Sequence, residues 1–321
     1  MATTNSRLAA ASLEAMQEAG VHFALLHELE RLLRGDLSDV DAVVGEPALT
    51  AIRRTTPAWR SRGILPVLVW PYDIGGTATV FLATVDASEG AQLDLLFDPR
   101  GVGKYAVKSA ALLATADRSG MLPTVSDAAS LIYQWRKRTV KGQWERLPTL
   151  SERARHLDRR AVLTASETIS GSSTLGRELL EARPQVRGQR LRRHLARRGL
   201  RIAQRLVSPV GFWAHAADAD VGEELAGRFS RFLVRAATEA TPSPFREPAW
   251  WAMRVMPTRL RPGVFVSTGR LPRWRIPDGV LRAETPDGAA RQLTEAMAAR
   301  VALRQLRLAR QGDGDVRQDR G

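Results

Sequence analysis

Two aspartates two residues apart, framed by apolar residues, constrain this chain more than any other feature. From Ala24 to Val44 it reads ALLHELERLLRGDLSDVDAVV, an apolar run, a polar turn, then a short strand carrying Asp39 and Asp41. A second apolar strand, QLDLLF from Gln92 to Phe97, carries Asp94. Side chains at i and i+2 of a strand point to one face. Asp39 and Asp41 therefore share a space, and a third carboxylate on a neighbouring strand completes a hard, oxygen-lined site suited to Mg²⁺ or Mn²⁺. That geometry fits phosphoryl or nucleotidyl transfer, in which metal ions clamp the attacking and leaving oxygens.

At these residues the chain resembles DNA polymerase β-like nucleotidyltransferases. That family carries a Gly-Ser or Gly-Gly turn, a strand with two aspartates flanking an apolar residue, and a third aspartate on a later strand. SDVDAVV resembles the first strand and QLDLLF the second. More narrowly, the chain is similar to bacterial nucleotidyltransferase-like proteins often joined to a thymidylate kinase-like domain. The resemblance spans about residues 21–144. It implies Asp39, Asp41 and Asp94 as metal ligands and catalytic residues, with Asp94 helping to activate the acceptor. It also implies a nucleoside triphosphate donor, an acceptor hydroxyl or phosphate, and nucleotide contacts from Ser38, Tyr133, Lys137 and Lys141. The turn departs from the family: it reads His27-Glu28-Leu29-Glu30. Glycine is what lets backbone N–H groups approach phosphate closely, and Glu28 brings bulk and negative charge instead.

Composition narrows the remaining possibilities. A chain of 321 residues fits two domains, and 44% hydrophobic residues suffice for real cores. The absence of cysteine excludes disulfides, thiolate catalysis and zinc-thiolate sites. No apolar run approaches a membrane span, and the N-terminus lacks the basic start and compact apolar core of a signal peptide, so a cytoplasmic protein is expected. The formal charge of +14 calls for an anionic partner, though Arg-rich, Ala-rich coding bias also produces such a balance.

The expected class is α/β (α+β). Residues 1–147 should form a nucleotidyltransferase-like mixed sheet with helices on one side and the carboxylates on its open face. Helices are expected over 1–20, about 47–55 with a possible extension to 60, and 127–141. Ser126 is positioned to cap the last of these. Strands are expected over 21–26, 39–44, 64–72, 77–84 and 91–97, with a hairpin turn at Asp73-Ile74-Gly75-Gly76. On the 127–141 helix, Tyr133, Lys137 and Lys141 share a face at i, i+4, i+8. It can meet phosphates, or it can be a solvated basic face.

Residues 148–207 read as a helical connector. Within it, Arg190 to Arg205 form a basic amphipathic helix able to contact nucleic acid or an anionic membrane weakly, or to serve as a solvated strut. Residues 208–311 read as a small α/β domain, with strands at 210–215, 263–267 and 279–283, a helix at 221–240 and a terminal helix from 287. Its strand–loop–helix frame resembles the kinase-like domain, but the loop AADADVG from Ala216 lacks the lysine and hydroxyl of a phosphate-binding loop. A frayed tail is expected over 312–321. Two other function classes stand beside the enzyme: a catalytically weak scaffold of the same fold, and an Arg-driven RNA- or membrane-surface protein.

Overall fold

In the first sheet, alternation along each strand decides what covers each face. The computed structural model describes residues 4–27, 29–34, 39–71, 76–102, 105–184, 210–273 and 275–318. The elements run α1 (Thr4–Glu18), β1 (Phe23–Leu25), α2 (Leu29–Arg34), β2 (Asp39–Val44), α3 (Ala48–Ser61), β3 (Ile64–Pro71), β4 (Ala78–Thr84) and β5 (Gly90–Leu96). They continue with α4 (Ser109–Ala114), β6 (Ala116–Asp117), β7 (Thr124–Val125), α5 (Asp127–Lys141), α6 (Leu147–Arg155), α7 (Arg159–Ser170) and α8 (Thr174–Leu180). Seven strands form one mixed sheet in the order β3-β4-β5-β2-β1-β7-β6.

Val40, Ala42 and Val44 point to one face, with Val80, Leu82, Leu93 and Leu95. There they meet Leu8, Leu13 and Met16 of α1 and Ile52 and Trp59 of α3. The opposite face is covered in two parts. Ala24 of β1 and Val43 of β2 pack under α5 to α8 through Ile132, Trp135, Leu150, Val162 and Leu179. Phe81 and Ala83 of β4, with Leu65, Val67 and Leu68 of β3, pack against the C-terminal half. Helices therefore lie on both faces, not one. Residues 148–180, expected as part of a connector, are helical as expected but belong to the first core: an apolar stripe on each helix is buried against α5.

The C-terminal half is a four-stranded parallel sheet in the order β11-β8-β10-β9. Its elements are β8 (Phe212–Ala216), α9 (Ala219–Ser230), β9 (Arg235–Ala240), α10 (Glu247–Trp250), a π-helical turn (Trp251–Val255), α11 (Met256–Arg259), β10 (Gly263–Thr268), β11 (Gly279–Leu281) and α12 (Pro286–Gln318). The helix expected through 240 stops at Ser230, and residues 235–240 form β9, paired along its whole length with β10. Tertiary pairing overrides the local preference of an Ala- and Glu-containing segment. The terminal helix also continues to Gln318 where a tail was expected, since extending a nucleated helix gains a hydrogen bond for each residue fixed. Arg190 to Arg205, Glu28 and the turn at 73–75 lie outside the described residues.

Candidate functional site

The register of two parallel strands brings the aspartates together. β2 pairs with β5 so that Asp39 lies opposite Gln92 and Asp41 opposite Asp94. On its other side, β5 places Asp94 opposite Thr79 of β4. Asp39, Asp41 and Asp94 thus share the face between the strands covered by α5 and those covered by the C-terminal half. This face, expected to be open, is roofed closely enough to bury Asp41.

The side chains are linked. Gln92 Nε2 donates to Asp39 Oδ1 at 3.0 Å and to Asp94 Oδ1 at 3.2 Å. The Thr79 hydroxyl also donates to Asp94 Oδ1. Lys137 reaches down from α5 and donates to Asp41 Oδ2. His27 Nε2 lies 2.8 Å from the same oxygen. The His27 ring stacks on Tyr133 at 6.4 Å between centroids, and Tyr105 meets Tyr133 edge-on at 5.7 Å.

Local sequence explains how α5 delivers its lysine. Ser126 caps the helix, accepting from the Ala129 N–H at 3.4 Å. Gly142 closes it in a left-handed conformation, φ 69°, which glycine adopts without Cβ strain. Every residue from Ala128 to Lys137 is buried. Tyr133 and Lys137 therefore sit inside the molecule, not on a solvated basic face. Lys141, one turn further, is exposed. Ser38 lies outside the described residues.

These contacts push the three carboxyls apart in acidity. Burial raises Asp94, and the charges of Asp41 and Asp39 raise it further, to about 7. Burial alone would raise Asp41 as well, but the His27 hydrogen bond and the Lys137 charge outweigh it and hold that carboxyl well below the usual range. Asp39 reaches solvent at its outer edge, yet partial burial and Asp41 raise it. Desolvation and the Lys137 ammonium lower Lys141, against the pull of Asp41 and Asp94.

Among the described residues no three acidic or imidazole side chains converge as a ready-made metal cage. The chemistry of the donor set nonetheless suits a hard divalent cation. The donors are carboxylate oxygens, and Asp94 is raised to about 7 by burial and, beyond that, by repulsion from the two carboxylates beside it. A cation at this face would relieve that repulsion.

The sequence pattern singles out neither Gln92 nor Thr79, and it presents His27 only as the start of the departing turn. Gln92 was within reach, since it precedes Asp94 by two and must share its face. Thr79 had no local signal, because its place beside Asp94 follows from the β4–β5 register alone.

In the C-terminal half, the loop after β8 contains no phosphate cradle. Asp218 caps α9, accepting from the N–H of Asp220 at 2.7 Å and of Val221 at 3.4 Å. A carboxylate already uses the donors that a phosphate would need at this helix start. No family model matches the chain, and no curated protein or solved structure matches it either.

Proposed function

We propose that the chain is a metal-dependent nucleotidyltransferase-like protein whose site is the face of β2 and β5. The observation that carries this reading is the register setting Asp41 directly opposite Asp94, with Asp39 on the same face. Asp39, Asp41 and Asp94 would hold Mg²⁺ or Mn²⁺, which would neutralise triphosphate charge and orient the donor. Lys141, at the exposed end of α5, would meet phosphate oxygens. Asp94, opposite Asp41 on the same face, would also be placed to take the proton of an acceptor hydroxyl. The acceptor oxygen would form a bond to the donor's α-phosphorus, and the bond from that phosphorus to the bridging oxygen would break, releasing pyrophosphate. A cytoplasmic location belongs to the same reading; among the described residues no helix is long and apolar enough to cross a membrane.

One observation favours a second reading, a scaffold of the same fold without turnover. Lys137 and His27 already contact one oxygen of Asp41, so part of the buried negative charge is balanced by the chain itself. A thermal-shift titration with Mg²⁺ and each nucleoside triphosphate separates the two. On the first reading the melting point rises with ligand, by the equivalent of about 2.7 kcal/mol at a hundredfold excess over Kd. Asp39→Ala combined with Asp41→Ala abolishes the rise. No rise with any triphosphate leaves the scaffold reading standing.

A further inference from the structure

The helical stretch beyond β9 is apolar on the side where a surface helix should be polar. Its inward residues, Trp250, Trp251 and Val255, are buried beside Trp213 and Phe265. Outward lie Phe245, 97% exposed, then Pro248, Ala249 and Ala252, and Met253, 68% exposed. A helix on a protein surface normally turns charged and polar residues to water.

The loop after β10 runs alongside and extends the same face. The Thr241 N–H donates to the Thr268 carbonyl at 2.9 Å. Arg270 bridges to the Pro242 carbonyl and to Glu247. The Arg273 N–H donates to Glu247 Oε2 at 2.9 Å. The Arg275 guanidinium lies 4.1 Å above the Trp251 ring. This loop adds Leu271, 52% exposed, and Ile276, 87% exposed. Four apolar side chains therefore project from adjoining segments, bordered by the exposed arginines Arg246, Arg254, Arg273 and Arg275.

We propose that this face docks on an anionic lipid surface. Protruding apolar side chains would enter the headgroup boundary while arginines at the border pair with lipid phosphate. The charge pattern selects this occupant. The acids in and beside these segments are already engaged: Glu247 is buried on Arg270, Asp278 accepts from the Trp213 N–H at 2.8 Å and lies 3.1 Å from Arg300, and Glu239 in β9 lies 3.5 Å from Arg254. Packing of a second copy through the same patch would set arginine against arginine. Single-stranded nucleic acid stacks on open aromatic faces, whereas Trp250 and Trp251 are buried and the projecting residues are mostly aliphatic. The surface is separate from the Asp39–Asp41–Asp94 site and independent of the activity proposed there.

The test is sedimentation of the full chain with vesicles of phosphatidylcholine, with and without phosphatidylglycerol. Wild type should bind only the anionic vesicles, and more weakly as salt rises. Phe245→Ser, Met253→Gln and Ile276→Ser combined should lower binding roughly tenfold or more, because each removes inserted apolar surface, while the melting point stays that of wild type. Unchanged binding by the variant overturns the proposal, since arginines elsewhere would then account for it. So does preferential binding of single-stranded RNA, or a concentration-dependent dimer that the variant dissolves. Should the triple variant fail to fold, tryptophan quenching of wild type by brominated anionic lipid decides: quenching supports shallow insertion, and its absence refutes it.

Discussion

Asp94 and Asp41 are neighbours with opposite perturbations, and this makes their effect on stability readable in pH. The Asp94 carboxyl is raised to about 7, so its contribution is fully present below the unfolded value and is lost as pH rises through the folded one. Asp41 is lowered, so its contribution is present above the unfolded value and is lost as pH falls. Without added metal, the melting point should peak in mildly acidic buffer and decline toward neutrality and above. Asp94→Asn keeps an acceptor for Thr79 but removes the charge. It should flatten the decline between acidic and neutral pH and stabilise the protein above neutrality by about 1–2 kcal/mol, less than the whole shift because the asparagine amide must itself be buried there. Parallel melts of wild type and variant across pH check this, and a decline of equal slope in both would count against the burial of Asp94. Lys137 gives the complementary case. Lys137→Met leaves the Asp41 charge with less compensation in a buried site and should cost about 3–5 kcal/mol. Adding Asp41→Asn should return a large part of that loss. A double-mutant cycle by urea unfolding measures the coupling, and additive losses would show that the pair does not interact as the structure places it.

At the scale of elements, two helix starts should differ in their dependence on a cap. Asp218 accepts from Asp220 at 2.7 Å, and Ser126 from Ala129 at the longer 3.4 Å. Asp218→Ala should cost about 1 kcal/mol and Ser126→Ala about half of that. Chemical denaturation of the two variants gives the order, and a larger loss for Ser126→Ala would contradict the cap geometry. The Ser126 cap was legible because a capping serine before a strongly periodic helix is a local signal. So were β2 and β5, whose alternation places Asp39, Asp41 and Asp94 on single faces. β9 was not legible: its Arg-Ala-Ala-Thr-Glu-Ala sequence reads locally as the end of α9, and pairing with β10 alone makes it a strand. The helices after residue 147 read as a connector because their polar faces dominate the composition, while the narrow stripes of Leu150, Val162 and Leu179 that bury them face a core assembled from distant residues. The Lys137–Asp41 contact spans 96 positions of sequence, and helix periodicity identified only the face that Lys137 lies on.

Across the whole molecule, the two halves distinguished in the sequence share a core. Leu65, Val67, Leu68, Phe81 and Ala83 of the first sheet are buried in one cluster with Phe212, Val264 and Val266 of the second sheet and Leu293 and Met297 of α12. The approach is close: a Cβ added at Gly90 of β5 would come within 2.1 Å of the Phe232 ring. Removing the C-terminal half would return the four large side chains of that list to water. At about 2 kcal/mol for each, the loss is of the order of 8 kcal/mol, comparable with the whole stability of an ordinary domain, about 5–15 kcal/mol. The face that carries Asp39, Asp41 and Asp94 would also lose one of its two flanking covers. The expectation is therefore that the segment 1–184, expressed alone, aggregates or remains loosely packed although it contains every residue of the candidate site. The full chain should unfold in one transition whether followed by circular dichroism or by tryptophan fluorescence. Size-exclusion chromatography and thermal melts of the segment decide the point. A monodisperse segment melting cooperatively within a few degrees of the full chain would mean that the shared cluster adds little, and that the halves are independent domains after all.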